Sequence, residues 1–193
     1  MRTHALLLPL LFSTPLFGQE PIPAPRTYSQ WDFVGHGDLD QDGDLDLVFS
    51  LPNDLPGSGF EVQVLLNAGQ GQFNPGATVA AESGIWPGHL SGLGDFNGDG
   101  RLDLLRNYTD IVKSVDGLEI RLGDGAGGFG PALRTEFPNF FPSPLVPLSV
   151  GLSAIEIADF DGDGRSDVAT SIYYQLSDLS ILQEARVWTF SGS

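Results

Sequence analysis

Gly37-Asp38-Leu39-Asp40-Gln41-Asp42-Gly43-Asp44-Leu45-Asp46-Leu47-Val48 occurs in this chain in three versions. The second is Gly94-Asp95-Phe96-Asn97-Gly98-Asp99-Gly100-Arg101-Leu102-Asp103-Leu104-Leu105, and the third is Ala158-Asp159-Phe160-Asp161-Gly162-Asp163-Gly164-Arg165-Ser166-Asp167-Val168-Ala169. A further element tracks the first two. Gly69-Gln70-Gly71-Gln72-Phe73 places Phe73 35 residues after Asp38, and Gly125-Ala126-Gly127-Gly128-Phe129 places Phe129 34 residues after Asp95. Elements held at a fixed separation mark a structural repeat, here of about 60 residues.

Between the acidic segments and the Gly-rich ones lie Phe60-Glu61-Val62-Gln63-Val64-Leu65-Leu66 and Leu118-Glu119-Ile120-Arg121-Leu122, with Ala185-Arg186-Val187-Trp188-Thr189-Phe190 as the third counterpart. Their partial alternation predicts half-buried strands. Each repeat then reads as a strand, an acidic loop, a second strand (Leu45 to Phe49 in the first), a variable loop, a third strand, a Gly-rich hairpin and a fourth strand. Four antiparallel strands per repeat make an all-β fold of β-propeller-type blades. No segment combines helical periodicity with caps and sufficient length. The expected units are residues 31–80, 81–137 and 138–193, with variable loops at Leu51–Gly59, Asn107–Gly117 and Ile172–Glu184.

Counted from its leading aspartate, each acidic loop has Asp at position 1, Asp or Asn at 3, Asp at 5, Gly at 6 and Asp at 9. Calcium accounts for this choice of residues. A hard cation takes six to eight oxygens, and alternate short carboxylates on a tight loop converge on one point. The glycine at position 6, Gly43, Gly100 or Gly164, permits the turn that folds the loop around the ion. Position 7 is Asp44, Arg101 or Arg165, so its side chain is not required and a backbone carbonyl would serve; an arginine there offsets surplus negative charge. Zinc prefers His and Cys, and magnesium keeps several waters rather than using an all-protein cage. An EF-hand needs Glu at position 12 followed by a helix. Position 12 is Phe49, Arg106 or Thr170, and the loop runs into a strand.

Charge agrees with this reading. The chain of 193 residues carries 9 Lys+Arg and 25 Asp+Glu, for a net charge of −16, and twelve of the acids sit in the three loops. With 41% apolar and only 18% charged residues the composition is globular rather than disordered. The acidic excess excludes nucleic acid as a partner, because phosphate binding needs clustered Lys and Arg. The absence of cysteine excludes disulfides, thiolate catalysis and Cys-based zinc sites. Residues 1–18, with Arg2 ahead of the run Ala5-Leu6-Leu7-Leu8-Pro9-Leu10-Leu11-Phe12, read as a secretory signal peptide. The run falls short of the roughly 20 residues that span a bilayer, so the mature chain is expected to be secreted, extracellular or periplasmic, with no membrane span.

The loops and hairpins resemble the FG-GAP/VCBS repeat family, which includes the calcium loops of integrin α-subunit propellers. The resemblance runs from about Trp31 to the C-terminus. It implies calcium ligation by Asp38, Asp40, Asp42, Asp46 and the carbonyl of Asp44. In the second loop the matching set is Asp95, Asn97, Asp99, Asp103 and the carbonyl of Arg101, and in the third Asp159, Asp161, Asp163, Asp167 and the carbonyl of Arg165. About three Ca2+ ions follow. The family also implies a non-catalytic binding or adhesion module whose partner is an extracellular protein or glycan. The alternative is an accessory carbohydrate-binding domain of, or fragment from, a polysaccharide-active extracellular enzyme.

Three units are fewer than the roughly four to eight blades of known propellers, and 34 residues after Asp159 is Ser193, so a fourth strand for the last repeat is unaccounted for. Pro23-Ala24-Pro25-Arg26-Thr27-Tyr28 resembles Pro131-Ala132-Leu133-Arg134-Thr135-Glu136, which follows the second Gly-rich hairpin. Residues 19–30 are therefore expected to hold a linker and a closing strand. Closure within one chain, a six-bladed homodimer and a longer propeller are all compatible with the sequence.

The segment Phe137–Leu145 is expected to pack as a loop over the blades, and His36 and His89 to be ordinary surface or packing residues. Trp31, Trp86 and Trp188 are expected to pack between blades, and Asn107-Tyr108-Thr109 fits a glycosylation sequon. No nucleophile elbow, phosphate loop or His-metal motif is present.

Overall fold

The computed structural model describes residues 32–52, 60–137, 147–176 and 181–190. The expected signal peptide, the expected closing strand and Trp31 lie outside the described residues, as does most of the Phe137–Leu145 segment. Eleven strands, and no helix, occur among those that are described. β1 (Asp32–Gly37), β2 (Asp46–Pro52), β3 (Phe60–Asn67) and β4 (Phe73–Val79) form one antiparallel sheet in chain order. β5 (Ile85–Gly94), β6 (Asp103–Asp110), β7 (Val115–Gly123) and β8 (Phe129–Glu136) form the second. The third has β9 (Pro147–Ala158), β10 (Asp167–Leu176) and β11 (Ile181–Trp188). Among the described residues no helix is long and apolar enough to cross a membrane.

Alternation along the second strand of each sheet supplies a face to each neighbour. In β6, Leu104 points toward the first sheet and joins Val48, Val62, Val64, Val79 and Leu39 in one core layer. The next residue, Leu105, points the other way and joins Phe96, Leu118, Ile120, Val168, Ile172 and Tyr174 in a second. The sheets are thus stacked like blades, touching through β1 against β5 and β5 against β9. Among the described residues no comparable contact joins β9 to β1, so the propeller-like array is an unclosed arc.

The first strands approach closely because they carry glycine where they face the next blade. A Cβ on Gly92 would lie 2.5 Å from Ile157 Cδ1, and one on Gly94 would lie 2.8 Å from both Ile157 Cγ2 and Ser166 Oγ. Gly35 and Gly37 stand in the same way against Leu93 and Leu102.

Strand limits correct two of the expected variable loops. β6 runs to Asp110 and β7 begins at Val115, so Asn107–Gly117 is mostly strand. β10 likewise runs to Leu176 and β11 begins at Ile181. These stretches differ most among the repeats, but cross-strand pairing is sustained through Asn107, Thr109 and Asp116, with Thr109 opposite Asp116 and its hydroxyl donating to that carboxylate over 2.5 Å. Phe137 is buried in the second core layer, 6.0 Å from the Trp188 ring, as a packing role requires. Trp86 departs from expectation: it is 45% exposed on β5 rather than packed between blades.

Candidate metal centre

Each acidic loop joins the first strand of its sheet to the second, so all three emerge at the same end of the stacked blades. Backbone bonds tie the loops across the blade boundaries. Gly127 N–H, from the second sheet's hairpin, donates to Leu39 C=O over 3.0 Å, and Ser166 N–H donates to Asp95 C=O over 2.7 Å. Ser166 Oγ in turn accepts from Asp95 N–H at 3.1 Å.

The loop backbone turns through left-handed residues at positions 4 and 6. Gly98 and Gly100 have φ of 76° and 81°, Gly162 and Gly164 have 82° and 88°, and the first loop uses Gln41 at 63° with Gly43 at 94°. Glycine adopts this region without a Cβ clash. The turn aims successive N–H groups inward, onto the carboxylate at position 1. Asp38, Asp95 and Asp159 each accept from the position-6 N–H, at 3.1, 2.8 and 2.9 Å. In the second and third loops the other oxygen accepts from positions 4 and 5 as well. In the first loop it does not: Asp38 Oδ1 is buried with no hydrogen-bond partner.

Position 9 has a second task that the spacing did not reveal. Asp46, Asp103 and Asp167 are fully buried, and each spreads its two oxygens between the loop and the third strand. One oxygen accepts from the N–H at position 2, Leu39, Phe96 or Phe160, at 2.8 to 2.9 Å. The other accepts from Asn67, Gly123 or Phe190 N–H at 2.9, 2.8 and 3.3 Å. The side chain therefore clamps the loop to the end of the blade's third strand, or just beyond it. An ionised carboxylate has about four lone-pair sites, so these bonds leave acceptor capacity for a cation.

Carboxylate oxygens of Asp38, Asp40 and Asp42 lie within 4.8 Å of one another, and so do those of Asp159, Asp161 and Asp167. In the second loop Asn97 bridges instead, donating from Nδ2 to Asp99 Oδ2 over 3.0 Å while its Oδ1 accepts from Asp99 N–H. The position-7 side chains separate the loops electrostatically. Arg101 pairs with Asp99 at 2.9 Å and Arg165 with Asp163 at 2.6 Å, whereas the first loop has Asp44 there and no internal cation. The Asn97 amide and the Arg101 N–H hold Asp99 below the usual carboxylate range, and the Arg165 guanidinium and N–H do the same for Asp163. Asp40 moves the opposite way: desolvation and the carboxylates of Asp46, Asp42 and Asp38 push it up. The first loop is therefore the least neutralised.

Sequence reasoning also missed a buried charged lattice on β6, β7 and β8. Glu119 is 1% exposed and accepts from Arg106 and Arg121 on Oε1, and from Arg134 on Oε2 at 2.7 and 2.9 Å. Arg121 and Arg134 also reach Glu82. The lattice lies on the face of the second sheet that meets the first. Its signal was present as Arg106, Glu119 and Arg134 facing one another across three strands, but that register exists only once the strands are paired.

Residues 24–106 match the family model for the FG-GAP-like repeat. The match takes in the first two acidic loops and the strands around them, and is consistent with a repeat protein of the FG-GAP/VCBS type. No curated protein matches the chain. An FG-GAP-like repeat suggests a β-propeller-type binding or adhesion module, and such repeats are typically non-catalytic and extracellular.

Proposed function

We propose that this chain is a secreted, calcium-stabilised binding module that holds an extracellular protein or glycan and performs no catalysis itself. The observation that carries the calcium reading is Asp38 Oδ1, a buried carboxylate oxygen without a donor, in a group whose other members, Asp40 and Asp42, approach within 4.8 Å. A buried anionic oxygen left without a partner is costly, and a divalent cation on this face supplies one. The donor set, all hard oxygens, suits calcium. By the same pattern Asp95, Asn97, Asp99 and Asp103 would hold a second ion. Asp159, Asp161, Asp163 and Asp167 would hold a third, each set completed by the position-7 carbonyl.

Bound calcium would cancel the repulsion that the protein's own groups leave in place and fix the loops that bridge neighbouring blades. Binding to the folded state alone stabilises it by about 2.7 kcal/mol per site at a hundredfold excess over Kd. For a chain of this size each kcal/mol raises Tm by roughly 2–4 °C. Thermal unfolding in EDTA and in about 10 mM calcium, about a hundredfold above the ~0.1 mM Kd at the tight end of the range for extracellular sites, is the test. A rise of roughly 5 °C or more that magnesium does not reproduce is expected; coincident curves would sink the calcium reading.

A further inference from the structure

We propose that the boundary between the first two sheets binds a small monovalent anion, a halide such as chloride, through Arg106 Nη1 and the hydroxyls of Ser91 and Ser50. Arg106 is 1% exposed. Its Nε and Nη2 donate to Glu119 Oε1, but Nη1 is buried without a hydrogen-bond partner, and so are Ser91 Oγ and Ser50 Oγ. Strand register sets all three on one boundary. Ser91 is directly opposite Arg106, one step of alternation from the pair Leu93 and Leu104, and both leucines pack toward the first sheet. Ser50 lies opposite Val62 and two residues after Val48. Both valines belong to that same core layer, so the Ser50 side chain faces the second sheet. Three of the four buried side-chain atoms without a partner among the described residues therefore meet at this boundary, and the fourth is Asp38 Oδ1 of the first acidic loop.

The ion pairs leave this place positive. Arg106, Arg121 and Arg134 share Glu119, and the last two also share Glu82, so three guanidinium groups meet two carboxylates. Glu82 is 46% exposed and pairs with the two outer arginines, which leaves the surplus on Arg106, the innermost. Burial pulls the Arg106 guanidinium below its ordinary value; Glu119 works against this, and the charges of Arg121 and Arg134 add to it. Lys113, Asp110 and Glu136 form a separate group around the exposed lysine. A buried charge needs a partner of opposite sign. A water molecule would satisfy the three donors but not the charge, whereas an anion does both.

The blade itself does not require this arginine. The same register sets Phe49 and Thr170 where Arg106 stands in its sheet, and Phe33 and Ile155 where Ser91 stands. The site is therefore a property of one boundary rather than of the repeat. With Arg106 and Ser50 both buried, the ion must be compact, and a halide needs nothing around it but donors.

The site is independent of the acidic loops, so the test is run in EDTA, where calcium contributes nothing. Thermal unfolding is followed as chloride replaces gluconate from about 5 to about 500 mM at constant ionic strength, which holds screening fixed. Linkage predicts a Tm that rises by roughly 3–6 °C for each tenfold increase in chloride above half-saturation. Ser91→Ala and Ser50→Ala each remove a buried hydroxyl that has no protein partner, so in gluconate they should be at least as stable as the native chain. Chloride should then raise their Tm clearly less than it raises the native one. A crystal of the full chain grown in bromide should show an anomalous peak within hydrogen-bond distance of Arg106 Nη1. A native Tm that does not rise with chloride, serine variants that respond as the native chain does, or water alone at that place in the bromide crystal would each overturn the anion site.

Discussion

Asp46→Asn separates the clamp from the metal ligand more sharply than any other change. The native carboxylate is fully buried and accepts Leu39 N–H at 2.8 Å and Asn67 N–H at 2.9 Å. The amide is isosteric but has one acceptor oxygen, so it must turn its NH2 toward one of those two donors. The change loses one hydrogen bond to a charged group, worth about 1.5–3 kcal/mol, and strands a buried N–H at about 1–3 kcal/mol. Part of this is relieved by removing a charge from a loop with five carboxylates, so a net loss of about 3 kcal/mol is expected. That corresponds to a fall of roughly 6–12 °C in Tm. The assay is thermal unfolding in EDTA, where ligation contributes nothing, with Asp42→Asn as the comparison. Asp42 Oδ1 accepts only from Asp44 N–H at 2.8 Å in an exposed turn, a bond asparagine keeps. Asp42→Asn should therefore match or exceed the native chain in EDTA and lose only the increment that calcium adds. An Asp46→Asn protein as stable in EDTA as the native one would refute the clamp.

Glu119→Gln should cost about 3–5 kcal/mol, because three arginines lose their shared counter-ion in a buried site. Burial would raise the Glu119 carboxyl, but Arg106, Arg121 and Arg134 hold it down at about 2. A depressed folded value means stability that is full above about pH 4.5 and lost as pH falls through about 2, amounting to about 3 kcal/mol. Urea titrations in EDTA across that window should show the stability difference between the native chain and the Glu119→Gln variant shrinking as pH falls. A constant difference would contradict the ion-pair account. Gly123→Ala sets a Cβ 2.3 Å from Leu102 C=O, a backbone atom that cannot swing away, and disturbs the N–H that Asp103 accepts. A loss of about 1–3 kcal/mol, in line with overpacking, should appear in urea unfolding with the urea dependence unchanged.

The local chemistry of the loops was legible without coordinates because it is written in contiguous residues. Asp, Gly and Asp at fixed offsets define a turn, and the φ values of Gly43, Gly100 and Gly164 follow from it. The third strands were legible from alternation at Phe60–Leu66 and Leu118–Leu122, but Glu61–Leu65 and Leu118–Ile120 are buried on both faces rather than half-buried, in the second sheet because a blade packs on each side. Alternation failed in the outer halves of β6 and β10, where half-exposed polar side chains satisfy a strand as well as a loop does.

What the sequence determined by itself is the repeat: three acidic loops, each feeding a strand, in an all-β chain with neither cysteine nor any helical period. Tertiary structure decided what the repeat could not encode. Gly92 and Gly94 carry no local signal of packing, yet a Cβ on either would meet Ile157, 65 and 63 residues away in sequence. Asp46, Asp103 and Asp167 read as ligands, yet both oxygens of each also anchor the loop, one of them to an N–H group at least 20 residues on. Glu119 read as the polar half of an alternating strand, yet it holds three guanidinium groups. Each of these depends on strand register and blade stacking, which place distant residues within a few ångströms, and no local pattern carries that distance.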